Sequence, residues 1–173
     1  MKFPAALAVM LLTGPALAQD EAGRVMNGQT FGAWTVSCEA IAAGETVCVL
    51  NQQLVRDTDQ AFLAQFLALW SDDGTKRYIL ARVPVGVYLP FGMALQPEVP
   101  DGEATLRQMI WQSCNGQVCE ALVEFGPEEI ASFVGPDIAI LASYQPSLGK
   151  DPVVFRFSMD GLVDGMDALH PDK

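Results

Sequence analysis

The sequence is short of the side chains that do most hydrolytic and nucleic-acid work. Its 173 residues include a single histidine, and ten Lys and Arg stand against twenty-one Asp and Glu, a formal net charge of −11. Binding to nucleic acid or to anionic lipid needs a cationic face against phosphate, so this balance excludes nucleic acid as a partner. A nucleophile–base pair needs a histidine placed by the fold, and His170 lies close to the C-terminus, where chains usually fray; it reads as a solvated tail residue. Charged residues are only 18% of the chain and apolar ones are 50%, which excludes disorder and suits one domain with its own core. There is no C-x-x-C, no internal repeat and no low-complexity tract. No run beyond the N-terminal one is long and apolar enough to span a bilayer.

What is present begins with an export signal. Residues 1–18 read as a secretory signal peptide. Lys2 supplies the positive start, Phe3 to Leu12 is largely apolar, Gly14-Pro15 breaks the run, and Ala16-Leu17-Ala18 is an A-x-A cleavage box. The run is too short for an anchor, which needs about 20 uninterrupted apolar residues. No cysteine follows the box to carry a lipid. The expectation is cleavage after Ala18 and a periplasmic, secreted or outer-envelope location. In such an oxidising compartment Cys38, Cys48, Cys114 and Cys119 read as two disulfides. Of the three possible connectivities, Cys38–Cys48 with Cys114–Cys119 is favoured, because each pair brackets a turn-rich stretch, Ala42-Ala43-Gly44 in one case and Asn115-Gly116 in the other. A four-thiolate metal site fits poorly, since nine residues separate Cys38 from Cys48. Neither a metal nor a cofactor is expected.

Residues 19–30 read as a flexible leader, 31–169 as one domain and 170–173 as a tail. Period-two alternation in Trp34, Val36 and Cys38, followed by the β-rich run Val47 to Val55, predicts a stapled hairpin. Residues 61–83 read as a second hairpin around Asp73-Gly74, although Phe62, Leu63, Phe66, Leu67 and Trp70 also fit a helix. Pro84, Gly86, Pro90 and Gly92 predict a bent or edge strand over Val85 to Leu95. Pro97 to Gly102 reads as a loop. Thr105 to Ser113 and Glu120 to Phe125 form a third hairpin, and Ile138 to Tyr144 with Val153 to Met159 close the fold. Short helices are expected after Gly126-Pro127-Glu128-Glu129, stopped at Gly135-Pro136, and over Leu162 to Leu169. Strands at this spacing with little helix predict an all-β sandwich.

Few constellations carry chemistry. Glu128 and Glu129 suit a helix N-terminus electrostatically, and Asp72-Asp73 suits a turn. The run Asp160 to Asp167 places Leu162 and Pro171 where a calcium loop needs oxygen ligands, so it reads as a capped turn leading into a helix. Trp34, Trp70 and Trp111 fall on strand runs and read as core. Tyr88 and Phe91, between the prolines and glycines of 84–92, are the candidate exposed binding edge.

In order along the mature chain, Phe31-Gly32-Ala33-Trp34 with Thr35-Val36 and Cys38, then Cys48 and Gln52, then Pro84-Val85-Gly86-Val87 with Leu89 and Gly92, then Cys114 and Cys119, and finally Phe157-Ser158-Met159 with Gly161-Leu162 and Ala168-Leu169 resemble the invasion-associated locus B proteins exported by alphaproteobacteria. The chain departs from that pattern at Ala33, where an acidic residue is common, and at Leu162, where an aromatic is common. The resemblance implies an immunoglobulin-like β-sandwich, with one or two short helices and two local disulfides, in the periplasm or at the cell envelope. It carries over no catalytic residues, and a role in host-cell entry is an analogy only. The expected function is a non-enzymatic, envelope-associated domain binding a protein or envelope component by strand addition near residues 84–92. The alternatives are a small carboxylate-dependent hydrolase and a structural envelope-integrity factor.

Overall fold

The computed structural model describes residues 25–98, 105–135 and 138–171. Along these the strands are β1 (Thr30–Phe31), β2 (Trp34–Ala42), β3 (Glu45–Val55), β4 (Phe62–Trp70), β5 (Arg77–Pro84), β6 (Met93–Pro97), β7 (Arg107–Asn115), β8 (Val118–Phe125), β9 (Ala139–Tyr144) and β10 (Val153–Ser158). Two short helices, α1 (Pro127–Ile130) and α2 (Leu162–Ala168), complete the set. Side chains alternate across a pleated strand, and the burial follows: Ile79, Ala81 and Val83 of β5 are buried, while Tyr78, Leu80 and Arg82 between them are partly exposed.

The pairings are antiparallel throughout, in the order β1-β2-β3-β4-β5-β8-β7-β6-β9-β10. The first five strands form a meander. β5 then pairs with β8 instead of β6, which makes β5 to β8 a Greek key. β7 divides its length, pairing with β8 from Ile110 to Asn115 and with β6 from Arg107 to Met109, with a register shift between Trp111 and Ser113. Bulges bend strands, and here the ribbon turns over to form a second layer. β10 thereby reaches β4, where Phe157 stacks on Phe66 with centroids 4.0 Å apart. The core between the layers includes Trp34, Leu50, Phe66, Ile79, Leu95 and Ile140, all essentially inaccessible to solvent. Trp34 lies in that core, and Trp70 and Trp111 pack against it half-buried.

The all-β class, the two short helices and both local disulfides are present as the sequence implied. Cys38 lies directly opposite Cys48 and Cys114 opposite Cys119 in their hairpins, and both pairs are bonded. Residues 61–83 form the expected hairpin. Its turn is locked by Asp73, whose carboxylate accepts hydrogen bonds from the Ser71 hydroxyl and from the hydroxyl and backbone N–H of Thr75. Those donors hold its pKa down at about 2, from an ordinary value of 3.8. Glu129 caps α1 by accepting the Gly126 N–H, and Asp160 to Leu162 is a turn into α2.

Three expectations are corrected. Residues 85–92 are not a strand: the positive φ of Gly86 and Gly92 and a 3-10 turn at Leu89–Phe91 take them out of the sheet. The strand that follows, β6, is not an edge, since β7 and β9 flank it. Residues 25–30 of the expected leader join the fold, because Gly28 donates to the Val36 carbonyl and the Asn27 side chain accepts from the Cys38 N–H. His170 is not a solvated tail residue: its ring meets Trp70 edge-on at 4.6 Å and its Nε2 lies 3.2 Å from the Gly74 carbonyl. The expected signal peptide, residues 19–24 of the leader, most of the 97–102 loop, Pro136 and residues 172–173 lie outside the described residues.

Candidate functional site

One end of the ribbon meets the other at a seam, and a single side chain closes it. Gln52 is the one buried polar residue among those described. It projects inward from β3, and its amide nitrogen donates to the carbonyls of Ala33 (3.1 Å) and Ser158 (3.0 Å). Its amide oxygen accepts the Ser158 N–H at 3.2 Å. The Ala33 N–H adds a bond to the Asp160 carbonyl. Gln52 thus does for Ser158 what a neighbouring strand would do, satisfying both of its backbone groups.

That contact fixes the direction of the whole strand. In an antiparallel ladder, successive residues point their backbone groups to opposite sides. With Ser158 facing away from β9, Arg156 and Val154 face away as well, while Val153, Phe155 and Phe157 bond to β9. β10 pairs only with β9, so among the described residues the N–H and C=O groups of Val154 and Arg156 have no backbone partner. Beside this edge opens a groove of about 660 Å³, with Leu54, Ile138 and Phe157 as its apolar lining and Gln52, Ser158 and Arg156 as its polar lining. Arg156 is held by a two-pronged pairing with Glu98 at 2.7 and 2.6 Å, and those bonds push the Glu98 carboxyl below its ordinary value. The arrangement offers an apolar trough alongside an open row of ladder groups, which is what an extended polypeptide requires.

The residues singled out from sequence fall elsewhere. Cys38, Cys48, Cys114 and Cys119 are consumed by the disulfides. Tyr88, which precedes the 3-10 turn, is half-buried, and Phe91 at its end is 43% exposed. The Tyr88 N–H already donates to the Gln145 carbonyl, and the Phe91 carbonyl accepts from the Gln108 side chain, so neither presents an open ladder. Gln52 was visible in the sequence only as one member of a motif, and Val154 and Arg156 carried no signal beyond strand alternation. β10 carries none of the prolines or glycines that mark an edge in sequence.

A family model described as Invasion associated locus B (IalB) protein matches residues 34–170, nearly the whole of the described fold. No curated protein and no solved structure matches the chain. The match takes in both disulfides, the seam at Gln52 and the β10 edge, and on it the chain belongs to the invasion-associated locus B family.

Proposed function

We propose that this protein is an exported, non-enzymatic, envelope-associated domain that binds a partner polypeptide by adding its extended segment to the free edge of β10. The observation that carries the reading is the open row of backbone groups at Val154 and Arg156 beside an apolar groove. A strand laid there gains main-chain hydrogen bonds from the edge, and alternate side chains enter the trough between Leu54, Ile138 and Phe157. The two disulfides fit an oxidising, extracytoplasmic compartment. A non-catalytic role is supported by the commitment of the obvious reactive groups. The four thiols are bonded to one another, and His170 is engaged by Trp70 and Gly74. Asp73 and Glu98 are pushed toward lower pKa by their donors, whereas a general acid needs the opposite shift. A part in host-cell entry is an extension of the family's name to this chain.

The test places a photo-crosslinking side chain at Arg156 in the exporting cell and compares chains with and without Val154→Pro. Proline at 154 removes only the open-edge donor and leaves the bonds of Phe155 and Phe157 to β9 intact. The expected result is a discrete set of adducts lost in the proline variant, whose disulfides and melting temperature match the parent. Adducts that persist with Val154→Pro, or that form equally from Gln53 on the outward face of β3, overturn the reading.

A further inference from the structure

Arg77 is the most buried arginine among the described residues, with 20% of its side chain exposed. It lies at the start of β5, in one cross-strand row with Trp70 of β4 and Phe125 of β8. Its guanidinium carbon sits 4.7 Å from the Trp70 ring centre. Arginine stays charged at any physiological pH and carries five N–H donors, so burial demands a counter-charge and acceptors. The other half-buried arginines have a close counter-charge, although the Nε of Arg107 is buried without a partner as well. Arg107, over Phe125, bonds to Glu129 at 3.0 Å and to the Glu124 carbonyl at 2.8 Å, and Arg82 bonds to Glu120 at 2.8 Å. Arg77 has only a 3.4 Å contact to Asp167, a carboxylate that is itself half-exposed, and its buried Nε has no partner.

The Nε is itself shielded from solvent, and the Arg77 side chain lines a cleft. A cavity of about 320 Å³ surrounds Arg77, walled by Trp70, Phe125 and His170 and bordered by Thr75 and Asp167. Its walls are fixed. The Trp70 indole N–H donates to the Met166 carbonyl at 2.7 Å, His170 packs against the indole edge, and the turn before Arg77 is held by Asp73. A pocket that is aromatic on its sides, rigid, and supplied with one under-satisfied guanidinium has the anatomy of a small-ligand site. The guanidinium fork matches a carboxylate in two parallel hydrogen bonds, and the aromatic walls match an apolar body attached to it.

From this juxtaposition we infer that the cleft at Arg77 is a second binding site, for a small carboxylate with an apolar body. It shares no lining residue with the β10 groove and does not depend on that groove's function. Asp167 is the resident competitor: the ligand carboxylate takes over the guanidinium that Asp167 holds at long range.

The mature, disulfide-bonded protein is titrated with 4-methylpentanoate, with inorganic phosphate, and with the peptide Gly-Gly-Leu bearing a free or an amidated C-terminus, while the Arg77 Nε–Hε resonance is followed by NMR. The expected result is a saturable shift of that resonance with 4-methylpentanoate and with the free-acid peptide, and none with the amidated peptide. Whichever of the two carboxylates binds tighter identifies a free acid or a peptide terminus as the source. Arg77→Lys is expected to weaken binding about tenfold, and Asp167→Asn, which removes the competitor, to tighten it about threefold or more. Absence of a saturable shift with any carboxylate in both the parent and Asp167→Asn overturns the inference. Phosphate binding as tightly as 4-methylpentanoate overturns the assigned ligand class.

Discussion

Gln52 decides more than any other single side chain. It stands in a stretch, Asn51-Gln52-Gln53, that looks uniformly polar, yet strand alternation turns its middle member into the core while Gln53 is exposed. Burial is tolerable because its amide makes three hydrogen bonds across the seam, to Ala33 and to both backbone groups of Ser158. Replacement by leucine keeps the bulk but strands those groups without partners. Gln52→Leu is expected to cost about 2–4 kcal/mol, the penalty of leaving several buried polar groups unsatisfied, read as a lower urea midpoint with the disulfides intact. A loss below the error of that measurement would mean that solvent already serves the seam. The cysteines were legible because chemistry and compartment specify them. Gln52 was not, because burial depends on which layer lies opposite, and that is a property of the completed fold.

Elements were legible in proportion to how local their determinants are. The hairpin of β7 and β8 follows from Asn115-Gly116, although the two loop positions are Gly116 and Gln117: Asn115 still pairs with Val118, and Gly116 takes the positive φ of 60°. β4 was ambiguous for a physical reason. Its outward positions Leu67 and Leu69 are also apolar, and Leu67 belongs to an outward row with Leu80 of β5, Leu122 of β8 and Ile110 of β7. An apolar row on the outer face blurs period two into something helix-like. The segment 85–92 was read as strand because proline and glycine mark an edge and a loop alike. α2 is set by its entry. Gly161 has φ 79°, and a Cβ there would collide with the Phe31 carbonyl, so the residue must be glycine on both counts. Gly161→Ala is expected to destabilise the protein by about 2 kcal/mol or more and to undock α2 from β1. Loss of protection at the Gly165 and Leu169 amides, which bond back into this helix, would report the undocking; unchanged protection would show that α2 is held by its other contacts alone.

At the scale of the molecule, strand order is non-local. A run of short strands announces an all-β protein, but only the fold says that β5 pairs with β8, that β6 is internal, and that the ribbon ends at β10. The binding edge expected at Tyr88 and Phe91 is not an open strand, and the proposed function places strand addition at Val154 and Arg156 instead. The same closure brings His170 onto Trp70 and builds the cleft at Arg77 from three separate parts of the chain. Most directly at stake is whether the β10 edge is open, because the proposed function rests on it. Residue-resolved amide hydrogen exchange on the oxidised, mature protein answers that without any partner. Val154 and Arg156 are expected to exchange much faster than Phe155 and Phe157, whose amides bond to β9, with Ser158 protected by Gln52. Equal and strong protection along the whole strand from Val154 to Ser158 would contradict the account, because it would mean that the edge is already occupied and has no ladder left to offer.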